Sequence, residues 1–108
     1  MSVNQTGTID LIGTTPDGKV MLTISDHHSW EESWHLQLLQ DKINAYLQFI
    51  ESGQIFDDYP NATGRELIIE TVLKYQPTIE ATLFLDKAKE VIEDAGFGFQ
   101  WRVFNIKE

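Results

Sequence analysis

The sequence ELIIETVLKY, from Glu66 to Tyr75, has the alternating pattern of a central β-strand. Successive residues of a β-strand point to opposite faces of a sheet, and the side chains here alternate with that period. One face carries Leu67, Ile69, Thr71 and Leu73, and the other carries Ile68, Glu70 and Val72. The pattern predicts a strand, and the sequence on either side of it predicts a helix.

The helix before this strand is predicted from a capping box and an apolar stripe. In Ser29-Trp30-Glu31-Glu32, the serine hydroxyl and the second glutamate can satisfy free backbone N–H groups at a helix start. Apolar residues then recur with helical spacing, namely Leu36, Leu39, Ile43, Tyr46, Leu47 and Ile50. Gly53 tolerates the left-handed conformation that ends many helices, so we expect the helix to run from Ser29 to Gly53.

The helix after the strand is expected to start near Pro77 or Thr78 and to end at Gly96. Its buried face is predicted to hold Ala81, Phe84 or Leu85, Ala88, Val91 or Ile92, and Ala95. The segment from Gln54 to Gly64 is interpreted as a loop, because Pro60 and several turn formers interrupt both periodicities.

Three further strands are predicted. Two β-rich runs, Thr8–Ile12 and Lys19–Ile24, flank the turn-forming sequence Thr15-Pro16-Asp17-Gly18 and indicate a hairpin. The residues of the second run expected to face the core are Val20, Leu22 and Ile24. The last strand is expected to start at Phe97 or Gly98 and to end at Ile106.

The predicted order is therefore β-β-α-β-α-β in a single domain, residues 1–108. Parallel strands joined through a helix favour right-handed crossovers, and two such crossovers in one direction place both helices on the same face of the sheet. The expected fold is an α+β two-layer sandwich with a four-stranded mixed sheet. The order of the strands stays open, because the hairpin can pair on either side of the next strand.

Composition narrows the possible partners. The chain has 17 acidic and 8 basic residues, which give it a formal net charge of −9. Nucleic acid is an unfavourable partner, because its binding depends on Lys and Arg contacts to phosphate and a negative protein repels the phosphates. The chain has no cysteine, no glycine-rich phosphate loop and no fixed zinc-ligand spacing, so no cofactor is expected. No apolar run reaches the roughly 20 residues that span a bilayer, and the first residues do not resemble a signal peptide. We expect a cytoplasmic protein that binds neither nucleic acid nor membrane.

One stretch carries a family resemblance. The chain contains Ile24-Ser25-Asp26-His27, then Trp30, then HLQLLQDKINAYLQFIESG from His35 to Gly53, and in these it resembles a family of small uncharacterised bacterial proteins. The similarity extends to Ile9-Asp10 and to Tyr59-Pro60. The resemblance implies a bacterial protein with a domain of unknown function, and it implies no catalytic residues.

All three histidines, His27, His28 and His35, lie close in sequence to Asp26 at the start of the first predicted helix. Imidazole and carboxylate groups can bind a divalent metal, and Asp26 can orient the adjacent His27 as half of an acid–base pair. Capping, packing and surface roles are the competing interpretation, because no nucleophile and no established ligand spacing accompanies the cluster. The sequence names this cluster as a candidate site without assigning it a metal or a reaction.

The sheet face away from the helices is a candidate interface. In the last strand, Phe97, Phe99, Trp101 and Val103 should meet the helices. The apolar residues expected on the opposite face are Met21, Ile68, Val72, Phe104 and Ile106. An exposed apolar patch of this kind often marks an interface, so a symmetric homodimer is expected. The alternative is that these side chains are scattered, or partly covered by the N-terminal segment.

Two classes of function remain. The first is a protein-interaction module for a protein partner, one form of which is an acidic inhibitor or immunity-type protein for a basic partner. The second is a small enzyme or metal-dependent binding protein that uses Asp26, His27 and His35. The absence of a catalytic motif favours the first class without excluding the second.

Overall fold

The computed structural model describes residues 11–104, which form four strands, three α-helices and one turn of 3-10 helix. In chain order these are β1 (Leu11–Thr14), β2 (Val20–Asp26), α1 (His35–Glu51), α2 (Gln54–Asp58), the 3-10 turn (Pro60–Ala62), β3 (Leu67–Leu73), α3 (Ile79–Asp94) and β4 (Gly98–Val103). Among these residues, no helix combines the length and the apolar character that crossing a bilayer would require.

The strands form one mixed sheet in the order β1-β2-β3-β4. The hairpin strands β1 and β2 are antiparallel, while β2, β3 and β4 run parallel to one another. Helix α1 lies on the connection from β2 to β3, and α3 lies on the connection from β3 to β4. The predicted α+β fold with a four-stranded mixed sheet is confirmed, and the strand order left open by the sequence follows the chain.

The core lies between the sheet and the two long helices. Val20, Leu22 and Ile24 are fully buried, as their alternation predicted. Further buried side chains come from β3, from both long helices and from β4: Leu67, Ile69, Leu73, Leu39, Ile43, Tyr46, Ile50, Leu85, Ile92 and Phe99. Trp101 and Val103 pack against this cluster at its margin. One apolar face of the sheet therefore buries one stripe of each long helix.

The predicted start of the first helix at Ser29 is wrong, because α1 begins at His35 and its N-cap residue, Trp34, makes no side-chain capping bond. The intervening residues form successive turns, with Glu32 N donating to Ser29 O and His35 N donating to Glu32 O. The Ser29 hydroxyl accepts a hydrogen bond from Glu31 N at 3.2 Å, inside the first of these turns. The capping-box residues thus satisfy a local turn that precedes the helix.

The segment from Gln54 to Gly64, expected to be a loop, contains α2 and the 3-10 turn. Gly53 has a positive φ of 84°, which reverses the chain between the end of α1 and the start of α2. Ile55 and Ala62 are fully buried, so this segment closes one end of the core. These two helices are only five and three residues long, so their apolar residues do not repeat often enough to predict a helix from periodicity.

Helix α3 starts at Ile79, next to the predicted start near Pro77 or Thr78. Thr78 is the N-cap, and its hydroxyl accepts a hydrogen bond from Ala81 N at 3.1 Å. Of the alternatives that the sequence left open, Leu85 and Ile92 are the fully buried residues. Ala95, expected to be buried, is exposed, because α3 ends at Asp94.

The strand ends also differ from the predicted ones. β2 continues two residues beyond Ile24, to Asp26, and β4 ends at Val103. β1 runs from Leu11 to Thr14, while residues 8–10 and Ile106 lie outside the described residues. Because β2 extends to Asp26, this residue lies at the end of the strand, next to the start of α1.

Candidate functional site

Asp26 and His35 form a buried pair that joins the sheet to the first helix. Asp26 is the last residue of β2, and His35 is the first residue of α1. The Nε2 atom of His35 lies 2.5 Å from Oδ2 of Asp26, and neither side chain has more than 1% of its surface exposed. Two residues nine positions apart are therefore held together out of contact with water.

The backbone around the pair supplies a further hydrogen-bond partner to each of its two residues. His35 Nδ1 lies 3.1 Å from the backbone oxygen of Ser29, which can only accept, so Nδ1 carries hydrogen. The other oxygen of Asp26 accepts a hydrogen bond from His28 N at 3.1 Å.

Trp30 covers the pair. Its ring stacks on the His35 ring with centroids 3.9 Å apart and an angle of 23° between the planes. Its Nε1 donates a hydrogen bond to the backbone oxygen of Tyr75, just beyond the end of β3, at 3.1 Å. The indole therefore shields the pair and also fixes the 27–34 connection to the sheet.

His27 and His28 extend the cluster toward solvent. The His28 ring lies 4.6 Å from the His27 ring and 5.7 Å from the His35 ring, centroid to centroid, and meets Trp34 edge-on. Its Nε2 atom is buried without a hydrogen-bond partner among residues 11–104. Burial lowers the pKa of His28, and the neighbouring His27 lowers it further. The structure thus brings together all four residues of the polar cluster named from the sequence.

This geometry suits stabilisation better than catalysis. An acid–base pair must reach within about 3 Å of a proton on the substrate, whereas the pair and its ring nitrogens are covered by Trp30 and by backbone. Across residues 11–104, no three His, Asp or Glu side chains are arranged to hold a metal ion. The arrangement accounts for Asp26 and His35 as a polar bond between β2 and α1.

The second candidate, the open sheet face, is defined as the strand residues that alternate with the core-facing ones. These are Leu11, Gly13, Met21, Thr23, Ser25, Ile68, Glu70, Val72, Gly98, Gln100 and Arg102. Met21 and Ile68 are register partners and form one apolar end of the face. Val72 and the half-exposed Phe104, which follows β4, form the other end. Ile106 lies outside the described residues.

A polar row separates these apolar ends. Thr23, Glu70 and Gln100 are consecutive partners across three strands. Glu70 is buried although it lies on this face, and its Oε2 accepts hydrogen bonds from Gln100 at 2.8 Å and from Arg102 at 3.3 Å. The apolar patch expected from the sequence is therefore divided in two by this polar row, and Arg102, which lies beside Val72 in the next row, balances the charge of Glu70.

The helical layer, defined as α1, α2 and α3, carries most of the surface charge. Nine acidic residues lie in these helices, and all nine are exposed: Asp41, Glu51, Asp57, Asp58, Glu80, Asp86, Glu90, Glu93 and Asp94. Of the three lysines there, Lys87 and Lys89 are exposed and Lys42 is fully buried, its Nζ lying 5.4 Å from the centre of the Tyr46 ring. The helices thus present nine carboxylates and two ammonium groups to solvent.

An apolar groove of about 210 Å³ lies between α1 and α3. Its walls include Ile43 and Leu47 on α1, and Phe84 and Val91 on α3. The sequence did not single out this groove. The sequence feature that indicated it is the pair of adjacent apolar residues that occurs twice on α3. Such pairs make the apolar stripe of the helix wider than the row that is buried. Val91 is accordingly 49% exposed beside the buried Ile92.

These residues define a small α+β protein in which a buried Asp–His pair ties the sheet to an acidic helical layer. The chain belongs to a family of unknown function (DUF6572), which matches residues 1–105. The expected membership of an uncharacterised family is therefore confirmed. No curated protein and no solved structure matches the chain.

Proposed function

We propose that this protein is an interaction module whose helical layer binds a basic protein partner. The distribution of charge carries the proposal: nine exposed carboxylates against two exposed lysines lie on one side of the fold. In the four strands, by contrast, the charged residues are Asp26, Glu70 and Arg102, of which Asp26 is in the buried pair. A net charge that only maintained solubility would not need to be concentrated in this way.

The acidic layer would act mainly on the rate and selectivity of association. Complementary potentials steer two proteins together and disfavour partners of the same sign, and the effect weakens as salt screens the charges. A basic toxin or enzyme is the class of partner that fits, so an acidic inhibitor or immunity-type protein is the specific form of the proposal.

The groove between α1 and α3 offers the apolar contact that such an interface needs. Interfaces combine a desolvated apolar centre with a polar rim, and Leu47, Phe84 and Val91 are partly exposed within this acidic layer. Lys87 also lines the groove, so the basic groups of a partner would lie over the exposed carboxylates of the helices, such as Glu90, and not over the groove itself.

A pair of charge reversals tests the proposal. Glu90→Lys changes an exposed residue of α3, and Glu66→Lys changes an exposed residue before β3 that lies outside the helical layer. Both raise the net charge by the same amount, and the contact that Glu66 makes with Lys19 is an exposed ion pair of small energetic value. The probe is a lysine-rich helical peptide titrated by calorimetry at low and at physiological ionic strength.

We expect Glu90→Lys to weaken binding of this peptide about threefold to tenfold, with a smaller effect from Glu66→Lys and weaker binding at higher salt. Equal weakening by the two variants would mean that the peptide responds to total charge and not to the helical layer. Absence of measurable binding at low salt would contradict the proposal outright.

A further inference from the structure

We infer that the groove between α1 and α3 binds one face of a basic amphipathic helix, whose basic groups lie over the end of the groove where α1 and α3 both terminate. The inference rests on the proposed function, because it names the part of the basic partner that the helical layer would bind. Three features of the groove support it: its size, the direction of its two walls and the charge at one of its ends.

The size of the groove suits protein side chains better than a small molecule. Its volume of about 210 Å³ is below the roughly 300 Å³ at which pockets for small ligands begin. Its α1 wall extends from Gln40 to Leu47, which at a rise of about 1.5 Å for each residue is about 10 Å. Two turns of a helix have this length, and they present apolar side chains on one face at positions i, i+3 or i+4, and i+7. The groove therefore has the length to hold the apolar stripe of a helix that lies along it.

The two walls of the groove run in the same direction. Helix α1 connects β2 to β3, and α3 connects β3 to β4. These three strands are parallel, so each helix must run back against the strand direction. The C-termini of α1 and α3 therefore lie at the same end of the groove, which we call its carboxyl end and which follows Leu47 and Val91.

The carboxyl end of the groove is negatively charged. Glu51 lies four residues after Leu47, and Asp94 lies three residues after Val91. At these spacings each carboxylate is on the same helix face as the wall residue that it follows. Both are exposed, and neither has an ion-pair partner among residues 11–104. Neither helix has a basic residue in its last turn, so the partial negative charges of two helix C-termini add to those of the carboxylates.

Charge selects both the occupant of the groove and its position. Lysine or arginine side chains of a bound helix are attracted to the carboxyl end, whereas Lys87, between Phe84 and Val91 on the α3 wall, repels them from the middle. The helical layer of a second copy is a poor occupant, because it exposes nine carboxylates and two lysines. The matching occupant is a helix of another protein, with an apolar stripe and basic residues beside it.

Two peptides of the same composition test this inference. One is a helical peptide of about 18 residues, built from leucine, alanine and lysine, with its leucines at positions i, i+4, i+7 and i+11 on one face. The other contains the same residues in an order that distributes the leucines around the helix. Because the two peptides carry the same charge, attraction to the helical layer alone does not distinguish them. Calorimetry at low and at physiological ionic strength measures both affinities.

Matched variants of the full chain locate the contact. Val91→Ala shortens a side chain of the groove wall that is 49% exposed, and Leu83→Ala shortens a side chain of α3 that is 64% exposed and outside the groove. Asp94→Asn removes a charge at the carboxyl end, and Asp86→Asn removes one from an exposed residue about two turns earlier in α3. Far-ultraviolet circular dichroism verifies that each variant is folded.

We expect the peptide with its leucines on one face to bind about tenfold more tightly than the reordered peptide. Val91→Ala should reduce this preference about threefold, and Leu83→Ala should leave it unchanged. Asp94→Asn should weaken binding of the first peptide about threefold, and by more than Asp86→Asn does.

Equal binding of the two peptides would overturn the inference and leave the proposed function standing, because charge alone would then account for the attraction. Absence of binding by both peptides at low salt would contradict the inference and the proposed function together. Equal effects of Val91→Ala and Leu83→Ala, or of Asp94→Asn and Asp86→Asn, would also overturn the inference, since the contact would then lie outside the groove or away from its carboxyl end.

Discussion

The bond between Asp26 and His35 is the most consequential contact made by single residues, because it fixes the point where the sheet meets the first helix. Both side chains are buried, and each depends on the other to satisfy its polar atoms. Removing one partner of such a pair leaves a polar group without hydrogen bonds in a site that water does not reach. The pair should therefore matter more for stability than the exposed ion pairs of this protein.

Substitution of Asp26 measures that contribution. Asp26→Ala should lower the free energy of unfolding by about 3 kcal/mol or more, because His35 Nε2 and His28 N both lose their acceptor. Asp26→Asn should cost about 1 kcal/mol, since its oxygen can still accept from His28 N while its amide donates to a neutral His35. Asp41→Ala, which removes an exposed carboxylate, should change stability by no more than about 0.5 kcal/mol. Urea unfolding gives all three values, and a cost for Asp26→Ala no larger than for Asp41→Ala would show that the pair does not stabilise the fold.

His28 should make stability depend on pH. Its pKa is lowered in the folded protein, first by burial and then by His27, with His35 acting in the same direction and Asp26 and Glu32 opposing. Above the ordinary pKa of about 6.5, His28 is neutral in both the folded and the unfolded chain. As the pH falls below that value, the unfolded chain binds the proton first, so stability decreases until the pH has passed the lower folded-state pKa.

The matching variant is His28→Gln, which removes this group. Between about pH 7.5 and about pH 5, the unfolding midpoint of the variant should fall by less than that of the unmodified protein. Tryptophan fluorescence follows unfolding in both proteins, and Trp34, whose ring lies edge-on to His28, contributes to it. Identical pH dependence in the two proteins would assign the effect to other groups.

At the residue scale, the sequence predicted which polar side chains gather but not what they do. Asp26 and the histidines were grouped because they are close in sequence, yet the pairing of Asp26 with His35 depends on the turns between them. Lys42 was not predicted to be buried, because a lysine inside a helix is normally read as solvent-facing. Only the packing of α1 against the sheet shows otherwise.

At the scale of elements, the two long helices begin in different ways. Thr78 caps α3 through its hydroxyl, whereas α1 begins without a side-chain cap and is preceded by the turns that start at Ser29. The sequence predicted a capping box only at Ser29, and the start of the second long helix only as near Pro77 or Thr78. The capping box at Ser29 does not start a helix, because residues 29–34 form the turns that precede His35, whose side chain bonds to Asp26.

A pair of hydroxyl deletions tests this difference. Thr78→Ala should lower the free energy of unfolding by about 1 kcal/mol, because Ala81 N loses its acceptor at the first turn of α3. Ser29→Ala should cost less than about 0.5 kcal/mol, since its hydroxyl serves a turn that is exposed to water. Chemical denaturation compares them. A larger loss from Ser29→Ala than from Thr78→Ala would contradict this account of the helix starts.

For the whole molecule, the periodicity of the sequence predicted how the sheet and the helices pack, but it did not predict which charged and apolar residues share a surface. The alternation in β2 and β3 and the stripes of α1 and α3 predicted a single core on one face of the sheet, and this is what the structure has. The division of the open sheet face by Glu70 was not predicted, because it depends on strand order and register. The concentration of charge in the helices likewise becomes visible only when each acidic residue is assigned to an element.

We propose that the acidic helical layer, and not total charge, recruits a basic protein partner. The most direct measurement is affinity purification from the cells that make this protein, with quantitative mass spectrometry and three baits: the unmodified chain, Glu90→Lys and Glu66→Lys. We expect a basic protein to be recovered with the unmodified chain and with Glu66→Lys, and its recovery to drop with Glu90→Lys. The same protein should form a complex with the unmodified chain when the two purified proteins are mixed. Recovery of no basic protein above background, or equal recovery with all three baits, would contradict this proposal.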